Sequence, residues 1–93
     1  MLKYYLICFD ISNNRSRRRV ANLLLEYGER IQKSVFEVAI KRDNELSLLR
    51  SEIQPYMENG DDLRFYFLPP ESRKNSQDYQ GRPLKEFPAS III

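Results

Sequence analysis

Residues 2–11 (LKYYLICFDI) are almost continuously apolar and hold no glycine or proline, the pattern of a strand. Alternation sends Leu2, Tyr4, Leu6, Cys8 and Asp10 to one face, and Lys3, Tyr5, Ile7, Phe9 and Ile11 to the other. Both faces are apolar, as in a strand covered on two sides. Ser12, Asn13 and Asn14 then supply turn and N-cap chemistry. In RSRRRVANLLLEYG the period changes to that of a helix, with Val20, Leu23, Leu24 and Tyr27 as its core stripe. Arg15, Arg19, Asn22 and Glu26 share the polar face, and Arg17 sits nearer the edge of the apolar stripe. Gly28 is placed to end the helix as a left-handed C′ residue.

Residues 30–40 (RIQKSVFEVAI) return to an extended, β-branched pattern. They fit one long strand or two short ones bent near Lys33–Ser34, and no Asn-Gly pair marks a hairpin. Asp43 or Asn44 can cap a second helix, ELSLLRSEIQPYM, whose stripe is Leu46, Leu49, Ile53 and Met57 and which Pro55 kinks or ends. After the loop ENGDD, DLRFYFLP reads as a last strand, apolar on both faces. From Pro69 the chain turns polar and irregular, until ASIII offers a short strand for its own sheet or a partner's edge.

If the middle segment counts as two strands, the order is βαββαβ, an α+β sandwich of ferredoxin-like type. Residues 1–68 form that domain, and 69–93 form a tail with an extra C-terminal strand. Both helices of such a fold cover one sheet face. The apolar residues on the other face then call for a second copy, packed sheet to sheet as a homodimer.

Composition sharpens this in two ways. The 93 residues allow one domain, and 42% apolar with 30% charged residues describes a folded chain. One cysteine, Cys8, gives no intrachain disulfide, and the apolar start is too short for a signal peptide or membrane span. A cytosolic protein without a membrane role is the expectation. The complete lack of histidine excludes Ser–His and Cys–His catalysis and nearly all zinc sites. Chemistry must then come from carboxylates, arginines, tyrosines, a lysine or a metal held by oxygen.

Asp10 is the leading candidate, a carboxylate at the carboxyl end of a buried strand. The alternative is a turn residue that accepts backbone N–H bonds. If Asp10 faces a dimer axis, two like carboxylates meet, and Mg²⁺ or Mn²⁺ is the natural relief. The net charge is only +2, yet Arg15, Arg17, Arg18 and Arg19 crowd the start of the first helix, where the dipole already disfavours cations. Such a helix start is either an anion site, with phosphate as the natural anion, or a solvated basic face. A carboxylate beside arginines is the arrangement that metal-assisted phosphodiester cleavage needs. Tyr4, Tyr5, Phe9 and Phe36 could stack bases, although aromatics in strands more often form core.

YLICFDIS followed by NNRSRRRVANLLLEYGERIQKSVFEVAI closely resembles the small CRISPR-associated adaptation protein family Cas2. The likeness is carried by the strand ending in Asp-Ile, the arginine-rich helix, GERIQ and SVFE, while residues 43–68 agree in layout more than identity. It implies a ferredoxin-like homodimer in which Asp10 of each chain faces the two-fold axis and holds Mg²⁺. It also implies a part in spacer acquisition beside a CRISPR integrase subunit, and metal-dependent endonuclease activity on single-stranded RNA or duplex DNA. Arg17, Arg19 and Arg30 would be phosphate-binding or structural, Ser34 and Phe36 would lie near the dimer interface, and the C-terminal strand would pair with the partner subunit or contact the integrase. The residue before the aspartate is often tyrosine in this family. Here it is Phe9, so any role for that hydroxyl is absent.

Three functions compete on these observations. One is a Mg²⁺-dependent phosphodiesterase built on paired Asp10 carboxylates, and another is a purely structural bridge that tracks duplex DNA. The third is a toxin-like ribonuclease or generic RNA binder of the same fold, without an aromatic RNP-type motif to support it.

Overall fold

A computed structural model describes residues 2–84. Its four strands, β1 (Lys3–Asp10), β2 (Gly28–Gln32), β3 (Val35–Ile40) and β4 (Asp62–Leu68), form one sheet in the order β2-β3-β1-β4, antiparallel throughout. Helices α1 (Asn14–Leu25) and α2 (Glu45–Ile53) make the two crossovers, which completes the βαββαβ ferredoxin-like order. The apolar strand at the start of the chain is indeed central. Cys8 stands opposite Val35 on one side and Arg64 on the other.

Alternation decides which residues the helices cover. Ile7, Phe9, Phe36, Val38 and Ile40 meet Val20, Leu24, Leu49 and Ile53 in the core. Leu23, Tyr27, Leu46 and Met57, the rest of the expected helical stripes, pack partly buried against it. Phe36 is completely buried, with its ring stacked on Phe9 at 6.0 Å between centroids.

The segment 30–40 resolves into two strands joined at Lys33–Ser34. Among the described residues only Gly60 and Gly81 have positive φ, so this tight connection does not use the mirror-image turn that Asn-Gly would mark. A register shift between Arg30 and Gln32 supplies the local irregularity instead. The Arg30 guanidinium clasps the turn by donating from Nε and Nη2 to the Lys33 carbonyl, at 3.2 and 3.0 Å.

Two local expectations change. Gly28 is not a left-handed helix stop; it opens β2, and a Cβ there would stand 2.6 Å from Val38 Cα and closer still to the Glu37 carbonyl. Neither Asp43 nor Asn44 caps α2 through its side chain. The Glu45 carboxylate folds back to accept the Lys41 and Arg42 N–H groups, at 2.9 and 2.6 Å, and so stabilises the helix entry. On α1 the expected cap holds, with Asn13 Oδ1 accepting from Ser16 N at 2.9 Å. Pro55 does end α2, in a 3₁₀ turn over Gln54–Tyr56.

The segment after Pro69 is not wholly irregular. It forms a short helix, α3 (Pro70–Lys74), bound to the sheet face opposite α1 and α2. The strand expected from ASIII lies outside the described residues.

Candidate nucleic-acid interface and strand-end carboxylate

The open sheet face carries Tyr4, Leu6, Cys8 and Asp10 from β1, Val35, Glu37 and Ala39 from β3, and Arg64, Tyr66 and Leu68 from β4. Its two ends differ. At one end α3 covers it: Arg73 forms a two-pronged ion pair with Glu37, at 3.1 and 3.0 Å, and lies 4.6 Å over the Tyr4 ring. Glu37 and Ala39 are buried there. At the other end Asp10 is exposed, opposite Asp62.

Like charges directly across a strand pair repel. Asp62 relieves this through Arg64, whose Nε lies 3.0 Å from the carboxylate. Tyr66 hydroxyl and then Asp62 hold the Arg64 guanidinium firmly in its charged form. The Asp10 carboxylate has no hydrogen bond or ion pair among the described residues, so it is not the turn-stabilising acceptor considered from sequence. That task falls to Asp61. Its Oδ1 accepts from Ser12 N at 3.2 Å and from the Ser12 hydroxyl at 3.3 Å, and its Oδ2 accepts from Glu58 N at 2.9 Å. The bonds from Glu58 and then Ser12 hold its pKa below the usual carboxylate value. Asp61 thereby ties the end of β1 to the start of β4, beside Asp10.

The arginines split into two groups. Arg15 and Arg19 are exposed on α1, with Arg19 bordering a shallow depression beside Asn22, Glu26 and Tyr56. Arg17 instead turns back on its own chain. Its Nη1 donates to the Ile11 carbonyl at 2.7 Å and the Ser12 carbonyl at 3.0 Å, fixing the β1–α1 connection. Arg17 and Arg18 face Arg30 and Lys33 of the hairpin across a cavity on the helix-facing side. Phe9 contributes to its lining, so Phe9 and Asp10 serve opposite faces of the sheet. Among the described residues no three His, Cys, Asp or Glu side chains gather as a cation cage. A divalent cation at Asp10 would therefore draw ligands from beyond such a cluster of the described residues, such as waters or a second molecule. The exposed carboxylate fits such a shared site.

A model of the family described as CRISPR associated protein Cas2 matches residues 1–76. The chain belongs to the Cas2 family. It is similar to the CRISPR-associated endoribonuclease Cas2 3 of Synechocystis sp., 34% identical over 89 residues that span 96% of this chain and 97% of that one. The CRISPR-associated endoribonuclease Cas2 of Thermus thermophilus is 39% identical over 70 residues, 74% of this chain and 73% of its own. Among solved structures, a chain of a partial Cas6-RT-Cas1–Cas2 complex superposes with a TM-score of 0.78 at 37% identity, covering 98% of this chain and 99% of that one. Streptococcus pyogenes Cas2 at pH 6.5 gives 0.71 at 25% identity, over 80% and 95%. Likeness to these Cas2 structures agrees with the ferredoxin-like order read from the strands.

In this Cas2-family chain, Ser34 and Phe36 occupy different settings. Ser34 is half-buried in the hairpin turn, its carbonyl accepting from Phe9 N at 3.1 Å. Phe36 lies in the core under the Arg30 guanidinium, 5.3 Å from its ring centroid, and presents nothing to a partner on the open face. Arg73, Glu37 and Asp61 escaped sequence reasoning as organisers of this region. The Glu37–Arg73 pair spans 36 positions, which no local pattern reveals. Among the described residues, no helix is long and apolar enough to cross a membrane.

Proposed function

We propose that this chain acts as a cytosolic homodimer joined through the open sheet face, with Asp10 of each copy at the two-fold axis holding Mg²⁺, or Mn²⁺ in its place. The dimer binds nucleic acid through Arg15, Arg17, Arg18, Arg19 and Arg30 and serves spacer acquisition beside a CRISPR integrase subunit. It cuts single-stranded RNA or duplex DNA. The observation that carries this reading is Asp10 itself: an exposed strand-end carboxylate without a partner among the described residues, on the sheet face that the main helices leave open. The curated relatives bear the name endoribonuclease, which supports a phosphodiester substrate.

Bound between two carboxylates, the cation would supply Lewis acidity toward a phosphoryl oxygen and lower the pKa of a water. The chain's own part is placement. Arg64, fixed by Asp62, sets a positive charge on the Asp10 face near the expected phosphate. Arg17 fixes the β1–α1 connection, so α1 keeps its position relative to Asp10. Leu6, Cys8, Val35 and Tyr66 remain on the open face beyond the part that α3 covers, and burying them gives the dimer its apolar contact.

A scaffold reading, in which the dimer bridges integrase subunits and tracks duplex DNA without cutting it, is favoured by one observation. The neighbour with a TM-score of 0.78 is a chain of an assembly that includes Cas1. End-labelled single-stranded RNA and duplex DNA, incubated with Mg²⁺ or EDTA, separate the two. The nuclease reading expects metal-dependent cutting by wild type and none by Asp10→Asn. Equal cutting by both would remove Asp10 from the chemistry. Binding without cutting by either would leave the scaffold.

A further inference from the structure

Asp62, Arg64 and Tyr66 alternate along β4 and share the open sheet face with Asp10. The register sets Asp62 directly opposite Asp10, and Arg64 directly opposite Cys8. Arg64 is therefore the diagonal neighbour of Asp10. Diagonal neighbours in an antiparallel pair stand about 7–8 Å apart, within reach of a long side chain. The Arg64 guanidinium thus has two carboxylates to choose from, one on its own strand and one across the ladder.

It takes the first. Its Nε donates to Asp62 Oδ2 at 3.0 Å, and its Nη1 donates to the Tyr66 hydroxyl at 3.4 Å. Both contacts lie on β4, so the fork is stretched along its own strand. The ion pairs of the described residues are Lys3–Asp43, Arg64–Asp62, Arg73–Glu37 and Arg82–Asp78, and Asp10 is in none of them. With Asp62 removed, Asp10 is the carboxylate that the register leaves within reach of Arg64. An arginine there would occupy the oxygens that a cation needs and set a like charge beside it. The Arg64 and Asp62 side chains are 63% and 55% exposed, and a pair so open to water adds little to stability. Its effect is on which carboxylate stays open.

We propose that Asp62 is a positioning residue: it holds Arg64 on β4 and so keeps the Asp10 carboxylate open for a divalent cation. The purpose assigned to Asp62 rests on the reading of Asp10 as the cation-holding residue. The hand-over of Arg64 from Asp62 to Asp10 does not depend on a cation.

Full-length ¹⁵N-labelled protein tests this by NMR through the Arg64 Nε–H, whose exchange with water an ion pair at Nε slows. In wild type the exchange should be slow and should respond neither to Asp10→Ala nor to Mg²⁺. In Asp62→Ala it should stay slow, because Asp10 has taken over the pair. It should then quicken by about fivefold, the upper end for an exposed pair, when Asp10→Ala is added or Mg²⁺ is titrated in. Mg²⁺ affinity, read from the amides of Phe9, Asp10 and Ile11, should fall by about fivefold in Asp62→Ala and return in Asp62→Ala/Arg64→Gln. Free exchange in Asp62→Ala with Asp10 in place would overturn the hand-over, as would quickening in Asp10→Ala alone. An affinity that Arg64→Gln fails to restore would make Asp62 a ligand and reject its positioning role. If Mg²⁺ moves none of these amides in wild type, the cation reading falls with the purpose given to Asp62, while the exchange series still decides the hand-over.

Discussion

The two faces of this sheet are built from the same alternating strands and have come to opposite states. On the helix-facing side Ile7 and Phe9 of the central strand are buried in one cluster with residues of α1 and α2, and Arg17 and Arg30 at its margin are tied to carbonyls. On the open side, among the described residues, α3 covers one end through Arg73, and the other end presents Asp10, Arg64 and Tyr66. An open face whose Asp10 carboxylate has no partner among the described residues suits assembly, as the proposed homodimer requires. The difference between the two faces can be probed from either side.

The largest effect should come from the covered face. Phe36→Ala removes a fully buried ring stacked on Phe9, and urea unfolding should show a loss of about 3–5 kcal/mol. A loss below about 1 kcal/mol would mean that the ring is not the core element described. Glu37→Ala comes next. The pair it breaks is nearly buried, with side-chain exposures of 6% for Glu37 and 13% for Arg73. Removing one partner of such a pair should cost about 3 kcal/mol, the low end of the range, because Arg73 can swing toward water. Replacing both, as Glu37→Leu/Arg73→Met, should recover most of that loss.

On the open face the expected readout is association. Tyr66 is 46% exposed in the single chain, and Tyr66→Glu should weaken dimerisation at least about tenfold in sedimentation, with the fold intact. Unchanged association would move the dimer contact off this face. The smallest effect is a pH dependence at the junction of the two faces. Bonds from Glu58 and Ser12 hold the folded-state pKa of Asp61 below its unfolded value of about 3.9. Its stabilisation is therefore fully present above that unfolded value and is lost as pH falls through the lower folded value. Thermal unfolding followed downward from about pH 5 should show a shallower acid limb for Asp61→Asn than for wild type.

Much of this division was legible in the sequence, and the unread parts have physical causes. The first strand, both main helices and the last strand followed from period alone, since each has enough apolar positions to fix its phase. The spare apolar face followed from counting which sides two helices can cover. The hairpin did not, because Lys33–Ser34 carries no turn signature and the bulge at Arg30–Gln32 gives no pattern of its own. Gly28 was read as a helix stop, since a glycine after an amphipathic run looks the same whether it ends a helix or makes way for a neighbouring strand. At the candidate site, Asp10 and the arginine cluster stood out as unusual placements. Their separation onto opposite faces was less visible. A helical wheel puts Arg17 at the edge of the apolar stripe but cannot show it reaching back to Ile11 and Ser12. Nothing local marks Lys33 in the sequence, and only the hairpin sets it across a groove from Arg18.

The claim at the centre of this account is that two copies of Asp10 act together across the open face. Wild type and Asp10→Asn, mixed in equal amounts and re-equilibrated so that subunits exchange, test it in one activity measurement. If both carboxylates are needed, only wild-type pairs cut, and metal-dependent activity falls to about one quarter of that of the same total amount of wild type. Activity of about one half, the sum of independent chains, would contradict the paired site.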